Sequence, residues 1–171
     1  PFPTRMLVYM TMDAAGRSDN KLLTDVRIRQ SIFKAIDRET IVKNFIPGAN
    51  IAVRPDGIGF HDNIGYASSG KFIAYDPAGA KKLLAEAGYP NGLDVNYVVF
   101  APYKAIGEAV AGDLLKIGVR MNIQAVDISL YRRLQGDNKL EAWSSMFPTG
   151  SYPDSGNVFN VLFTGPAMKY F

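Results

Sequence analysis

Apolar and polar positions recur along most of this chain with periods that separate strands from helices. The β-forming run Arg5–Met12 predicts a first strand, and the polar stretch Asp13–Lys21 a loop after it. Asp25 is placed to cap a helix whose apolar positions Val26, Ile28, Ile32, Phe33 and Ile36 keep a rough helical spacing. Asp37 opens a second helix with Ile41, Val42, Phe45 and Ile46 as its inward side, stopped by Pro47-Gly48. Residues 47–74 are glycine-rich and show no period, which predicts a long loop of the functional or mobile kind.

The second half is more regular. Asp76-Pro77 supplies a cap and a first-turn proline, and Gly88 a stop, for a helix through Lys81-Lys82-Leu83-Leu84. A Pro90-Asn91-Gly92 turn leads into an alternating strand, Leu93–Phe100. Pro102 opens a longer helix with Ile106, Val110, Leu114 and Ile117 on one face, ended by Gly118. Val119, Met121 and Ile123 alternate with Arg120, Asn122 and Gln124 as in a half-buried strand. Asp127 caps a helix through Leu134 that closes near Gly136, and Leu140–Phe147 forms a further strand. Pro148–Gly156 is rich in turn formers, and a short helix or extended tail carries Val158, Phe159, Val161, Leu162 and Phe163. Strands alternating with helices in this order predict an α/β fold, with crossover helices packed on a mixed sheet.

Composition narrows the chemistry. The 171 residues are 47% hydrophobic and 20% charged, in the ordinary globular range, so disorder and fibrous classes are excluded. A net charge of +3, spread evenly, gives no nucleic-acid footprint. No apolar run approaches the roughly 18 residues of a membrane span. Without cysteine there are no disulfides, thiolate metal sites or cysteine nucleophiles. His61 is the single histidine, so a histidine-cluster metal site is excluded and any catalytic triad would have to be built on that one residue. The start at Pro1-Phe2-Pro3 and the end at Phe171 are those expected of a piece cut from a longer protein.

Four features carry possible chemistry. Gly65-Tyr-Ala-Ser-Ser-Gly70-Lys71 matches the first positions of a phosphate-binding loop, but Phe72 stands where magnesium needs a hydroxyl, and the next helix waits until Asp76. His61-Asp62 could be an acid/base pair, although adjacent residues rarely face each other, and a solvated loop histidine is the plainer reading. Arg27 with Arg29, and Arg132 with Arg133, could hold an anion or pair with Asp25, Asp37 or Glu39 on helix surfaces. Trp143 on the last strand is either a core residue or a ligand platform.

The segment Leu23-Thr24-Asp25-Val26-Arg27-Ile28-Arg29-Gln30-Ser31-Ile32-Phe33-Lys34-Ala35-Ile36-Asp37-Arg38-Glu39 closely resembles the DVRVRQAI.YAIDRE signature of bacterial extracellular solute-binding proteins, family 5. These are the receptors of oligopeptide, dipeptide and nickel ABC importers. Tyr75–Gly92 is similar to a second block of that family, Leu115–Val119 to a third, and Tyr152-Pro153-Asp154 to a weakened fourth, in the same order.

The resemblance implies one lobe of a two-lobed periplasmic-binding-protein (type II) fold, α/β with a mixed sheet and flanking helices. Residues 1–171 would form a single ligand-binding lobe from the C-terminal side, with the other lobe and the last returning segment absent. In such receptors the lobes close on a small solute or peptide, and the closed form docks on an inner-membrane ABC permease. A monomer without cofactor, metal or nucleic acid is expected, in the periplasm or lipid-anchored on the outer face of the cytoplasmic membrane. Phe147, Thr149, Gly150, Ser151 and Tyr152 are the expected ligand contacts, with Arg133 and Trp143 beside them, and Asp13 lies near the expected hinge. Peptide-binding members place an aspartate just before the YPDP turn, where it pairs with the peptide ammonium; here that position is Ser151. The solute is thus a peptide held otherwise, or an opine, a sugar conjugate or a metal chelate. The rivals are an enzyme built on His61, and a lobe that contacts a membrane partner without ligand.

Overall fold

The computed structural model describes residues 6–45 and 73–148, with side chains for 9–45 and 73–142. By contact clustering the chain divides into two compact units. One joins Met10–Ala52 to Ile73–Ser145 and holds nearly all the described residues. The other comprises Pro1–Tyr9, Val53–Phe72 and Met146–Phe171.

Strand β1 spans Met6–Met12. A 3-10 turn at Leu22–Thr24 leads into α1, Val26–Ala35, and α2 follows at Arg38–Phe45. Helix α3 covers Pro77–Glu86 and strand β2 Leu93–Phe100. After a 3-10 turn at Ala101–Tyr103 come α4, Lys104–Leu115, and β3, Val119–Val126. Helix α5, Ile128–Gly136, precedes β4, Ala142–Pro148. The sheet order is β1-β4-β2-β3. β2 pairs in parallel with β3 from Leu93↔Val119 to Phe100↔Val126, and with β4 from Tyr97↔Ala142 to Val99↔Ser144. The N–H of Asp13, just past β1, donates to the Glu141 carbonyl just before β4 at 2.8 Å. Those two strands therefore run antiparallel, and the sheet is mixed.

The helix ends follow from their capping residues. The Asp25 side chain accepts from Arg27 N, Asp76 from Gly79 N, and Asp127 from Ser129 N and Leu130 N. Pro77 occupies the first turn of α3, where its missing N–H costs nothing. The proline-led start expected for α4 is a separate 3-10 turn, so the α-helix begins at Lys104. The last strand begins at Ala142 rather than Leu140, because Asn138, with φ 55°, still belongs to the turn that ends α5.

Alternation along β2 and β3 divides the sheet into two faces. Leu93, Val95 and Tyr97 pack with Ile28, Ile32, Ala80, Leu84, Val110, Leu114 and Val119 into one apolar cluster. Helix α4 lies on β2 and β3, α1 packs on α3, and α5 approaches β2. Gly107 makes the α4 approach possible, since a Cβ there would stand 3.3 Å from both Tyr97 Cε1 and Val99 Cγ2. At the amino edge of the sheet the two turns meet backbone to backbone. Gly92 has φ +88°, and a Cβ on it would lie 2.0 Å from the Gly118 carbonyl oxygen, the group that accepts from Leu93 N at 3.1 Å.

Two expected core positions are not buried. Val26, in the first turn of α1, is 51% exposed, because the inward stripe runs through Ile28, Ser31, Ile32 and Ala35 instead. α2 has no fully buried residue: Ile41 packs partly on the core, whereas Phe45 at the helix end is exposed.

Candidate ligand-binding site

Because β2, β3 and β4 are mutually parallel, their carboxyl ends share one edge of the sheet, where open α/β sheets hold ligands. β4 continues for four residues beyond Ser144, the partner of Val99, to Pro148. At the end of β2 the Phe100 ring stands 6.0 Å from Tyr103, tilted by 49°. At the end of β3 the first-turn amides of α5 are already engaged, since Asp127 Oδ1 accepts from Ser129 N at 2.8 Å and Leu130 N at 2.9 Å.

Among the residues expected to touch ligand, Phe147 lies in β4 and Trp143 occupies the register position beside Val98. Arg133 is exposed on α5, as is Arg132. Thr149, Gly150, Ser151 and Tyr152 lie outside the described residues, and so do His61, the Gly65–Lys71 loop and Tyr152-Pro153-Asp154. Asp13 sits at the opposite edge of the sheet, beside Glu141. Its Oδ2 accepts from Ser18 N at 2.7 Å and Ser18 Oγ at 2.8 Å, which fixes the loop after β1. Burial pushes the Asp13 carboxyl up, but the backbone N–H groups of Arg17, Ser18 and Gly16 with the Ser18 hydroxyl outweigh it, and the pKa falls below the usual aspartate value.

The arginines of the signature segment are held within the fold. Arg27 donates to the Asp25 carboxylate, with Nη2 2.6 Å from Oδ2, and its Nη1 reaches the Glu86 carbonyl at 2.8 Å. The Arg27 hydrogen bonds hold Asp25 down at about 2. Arg29 Nη1 donates to the carbonyls of Leu23 and Thr24 at 2.7 and 2.9 Å. Lys34 Nζ meets Asp76 Oδ2 at 2.8 Å, and Arg38 lies over the Phe33 ring. The segment therefore clamps α1 to the turn before it and to α3.

Two polar residues that no motif marks do comparable work. Asp113 is buried on α4; its Oδ2 accepts from Asp37 N at 2.9 Å, and its Oδ1 meets Lys116 Nζ at 2.7 Å. Glu141 Oε2 accepts from Asn96 N at 3.0 Å and Asn20 Nδ2 at 3.1 Å, and its Oε1 accepts from Asn96 Nδ2 at 2.7 Å. Between this polar face and α5 lies an open cleft of about 400 Å³, lined by Asn96, Val98, Asn122, Gln124, Leu134 and Lys139. Its Asn96 amide is spent on Glu141, and its Lys139 ammonium is paired with Asp19 at 3.1 Å. Among the described residues no cluster of His, Cys, Asp or Glu could hold a metal, and no helix is long and apolar enough to cross a membrane.

A mixed sheet flanked by helices, with its parallel strand ends gathered at one edge, is part of a type II periplasmic-binding fold. The chain belongs to the bacterial extracellular solute-binding proteins, family 5 (middle region), whose profile it matches over residues 2–170. It is similar to the heme-binding protein A of Haemophilus influenzae, 30% identical over 153 residues, covering 81% of this chain and 25% of that one. It is also similar to the dipeptide-binding protein of Escherichia coli K12, 28% identical over 160 residues, covering 87% and 29%. The structure of a dipeptide-binding protein from Pseudoalteromonas sp. SM9913 in complex with Met-Leu superposes with a TM-score of 0.76 at 25% identity, covering 92% of this chain and 31% of that one. This chain thus spans about a quarter to a third of the length of these relatives.

Proposed function

We propose that this chain is the ligand-binding lobe of an ABC-importer receptor that takes up a peptide. Residues 1–171 form one lobe of the receptor, which closes on its solute, works outside the cytoplasmic membrane and delivers the solute to a permease without transforming it. The observation that carries this reading is the gathering of the parallel β2, β3 and β4 carboxyl ends at one edge; the proposed contacts Phe147, Thr149, Gly150, Ser151 and Tyr152 follow in the sequence after the last β4 residue paired with β2. Arg133 and Trp143 complete the proposed contacts. Family membership and the dipeptide-binding relatives support the peptide class.

Closure couples to solute only where the solute touches both lobes, because differential affinity for the closed state drives the shift. Mass spectrometry of what co-purifies with the full-length receptor tests the solute class: short peptides are expected, and a uniform population of sugars or chelates overturns it. A second measurement addresses Ser151. A buried charge-assisted pair between carboxylate and ammonium typically contributes about 2–5 kcal/mol to binding when one partner is truncated. With serine at this position, calorimetry on the full-length receptor should show little discrimination between free and N-acetylated peptides, and Ser151→Asp should introduce a preference for the free amine. A hundred-fold preference in the wild type, weakened by Ser151→Asp, shows that the ammonium anchor lies elsewhere.

A further inference from the structure

Among the described residues the β2–β4 pairing is short, with the three register pairs Tyr97↔Ala142, Val98↔Trp143 and Val99↔Ser144. A parallel ladder of that length specifies its register weakly. A slip of two residues would return the same side chains to the same face, so the inward and outward pattern alone does not forbid it. At the next position back, the backbone N–H of Asn96 is taken by a side chain, Glu141 Oε2 at 3.0 Å, while Glu141 Oε1 takes the Asn96 amide at 2.7 Å. The same carboxylate accepts from Asn20 at 3.1 Å, and the Glu141 carbonyl accepts from Asp13 N at 2.8 Å. One residue thus binds β2, the end of β1 and the loop after it at the point where β4 begins.

We infer that Glu141 is a positioning residue: its carboxylate pins the register of β4 against β2. The inference rests on the proposed site for its consequence, but not for its geometry. A two-residue slip moves every β4 position by about 7 Å along the strand, which is enough to replace one ligand-contacting side chain by another. Hydrogen bonds to a charged group are about twice as strong as neutral ones. Removing three at once should shift the slipped fraction by ten-fold or more.

The chain has no cysteine and a single tryptophan, which makes the test clean. Val99→Cys with Ser144→Cys reports the native register by disulfide formation in the 171-residue chain, and Val99→Cys with Ala142→Cys reports β4 advanced by two. Glu141→Ala should raise the ratio of slipped to native cross-link at least ten-fold and shift Trp143 emission, whereas Glu141→Gln, which keeps an acceptor, should fall between. An unchanged cross-link ratio in both variants overturns the inference. If Glu141→Ala does not fold, Glu141→Gln alone decides by the same ratio. Phe147→Ala in the full-length receptor, titrated with Met-Leu, probes the proposed site separately. Undiminished binding there counts against the site and leaves the cross-link result standing.

Discussion

The two faces of β2 share one backbone and one set of hydrogen bonds, yet they are held by different physics. On one face Leu93, Val95, Tyr97 and Val99 are at most 5% exposed and fit against α4, closely enough that Gly107 is the only residue type its position accepts without displacement. On the other, Asp94 pairs with Arg120 at 2.7 Å and Asn96 faces Asn122 at 3.5 Å, both pairs in solvent, and only Val98 is covered, on the side α5 approaches. The first face is stabilised by removing apolar area from water; on the second, the Asp94–Arg120 and Asn96–Asn122 contacts are ones that water would replace almost equally well. The difference separates residues whose packing holds the sheet to its helices from residues that solvent leaves free to vary.

Substitutions on the two faces should therefore differ several-fold in effect. Tyr97→Ala on the core face is expected to lower unfolding free energy by about 3–5 kcal/mol, read from chemical denaturation; a loss below about 1 would mean that this face is loosely packed. Gly92→Ala, at the edge where the faces begin, combines a left-handed φ with a contact against Gly118 and should cost about 2–3 kcal/mol. Asp113→Ala removes the partner of Asp37 N and Lys116 and should cost about 1–3 kcal/mol, with most of the loss surviving in high salt because the carboxylate is buried. Asp94→Ala on the polar face should cost less than about 1 kcal/mol, and molar salt should erase the difference.

The smallest effect concerns acid. Asp25 is held below its ordinary 3.8, at about 2, so the folded chain binds this proton less readily than the unfolded chain does. Its contribution is then complete above pH 4 and is lost as pH falls through about 2. Asp25→Asn should lower thermal stability above pH 4, and the difference from wild type should vanish as pH falls through about 2. A loss that persists undiminished at the acid end of that window would show that the cap, rather than the charge, is what matters.

How much of this was legible in the sequence depended on how local each interaction is. The caps at Asp25, Asp76 and Asp127 bind amides two or three residues ahead, so composition alone located three helix starts. The alternation of Val119, Met121 and Ile123 gave β3 its faces for the same reason. Phe45 misled because two helical turns at the margin of the core cannot bury every apolar residue they carry. Glu141 and Asp113 left no trace, since their partners lie 45, 76 and 121 positions away, and a lone carboxylate has no period. For the proposed ligand edge, strand order was needed: only the parallel pairing of β2 with both neighbours brings the ends of β3 and β4 together.

The strand order also fixes a timetable. Among the described residues β1 is the first strand and its neighbour β4 the last, so the Asn20–Glu141 contact closes a separation of 121 residues. At ordinary elongation rates the ribosome needs roughly 6–24 seconds to span it. During that interval β2, α4 and β3 can already pair over a much shorter loop, with less entropy to lose. A nascent chain therefore carries a formed centre and an unclaimed β1 until β4 emerges. Any factor that must keep this protein unfolded has that window to capture β1.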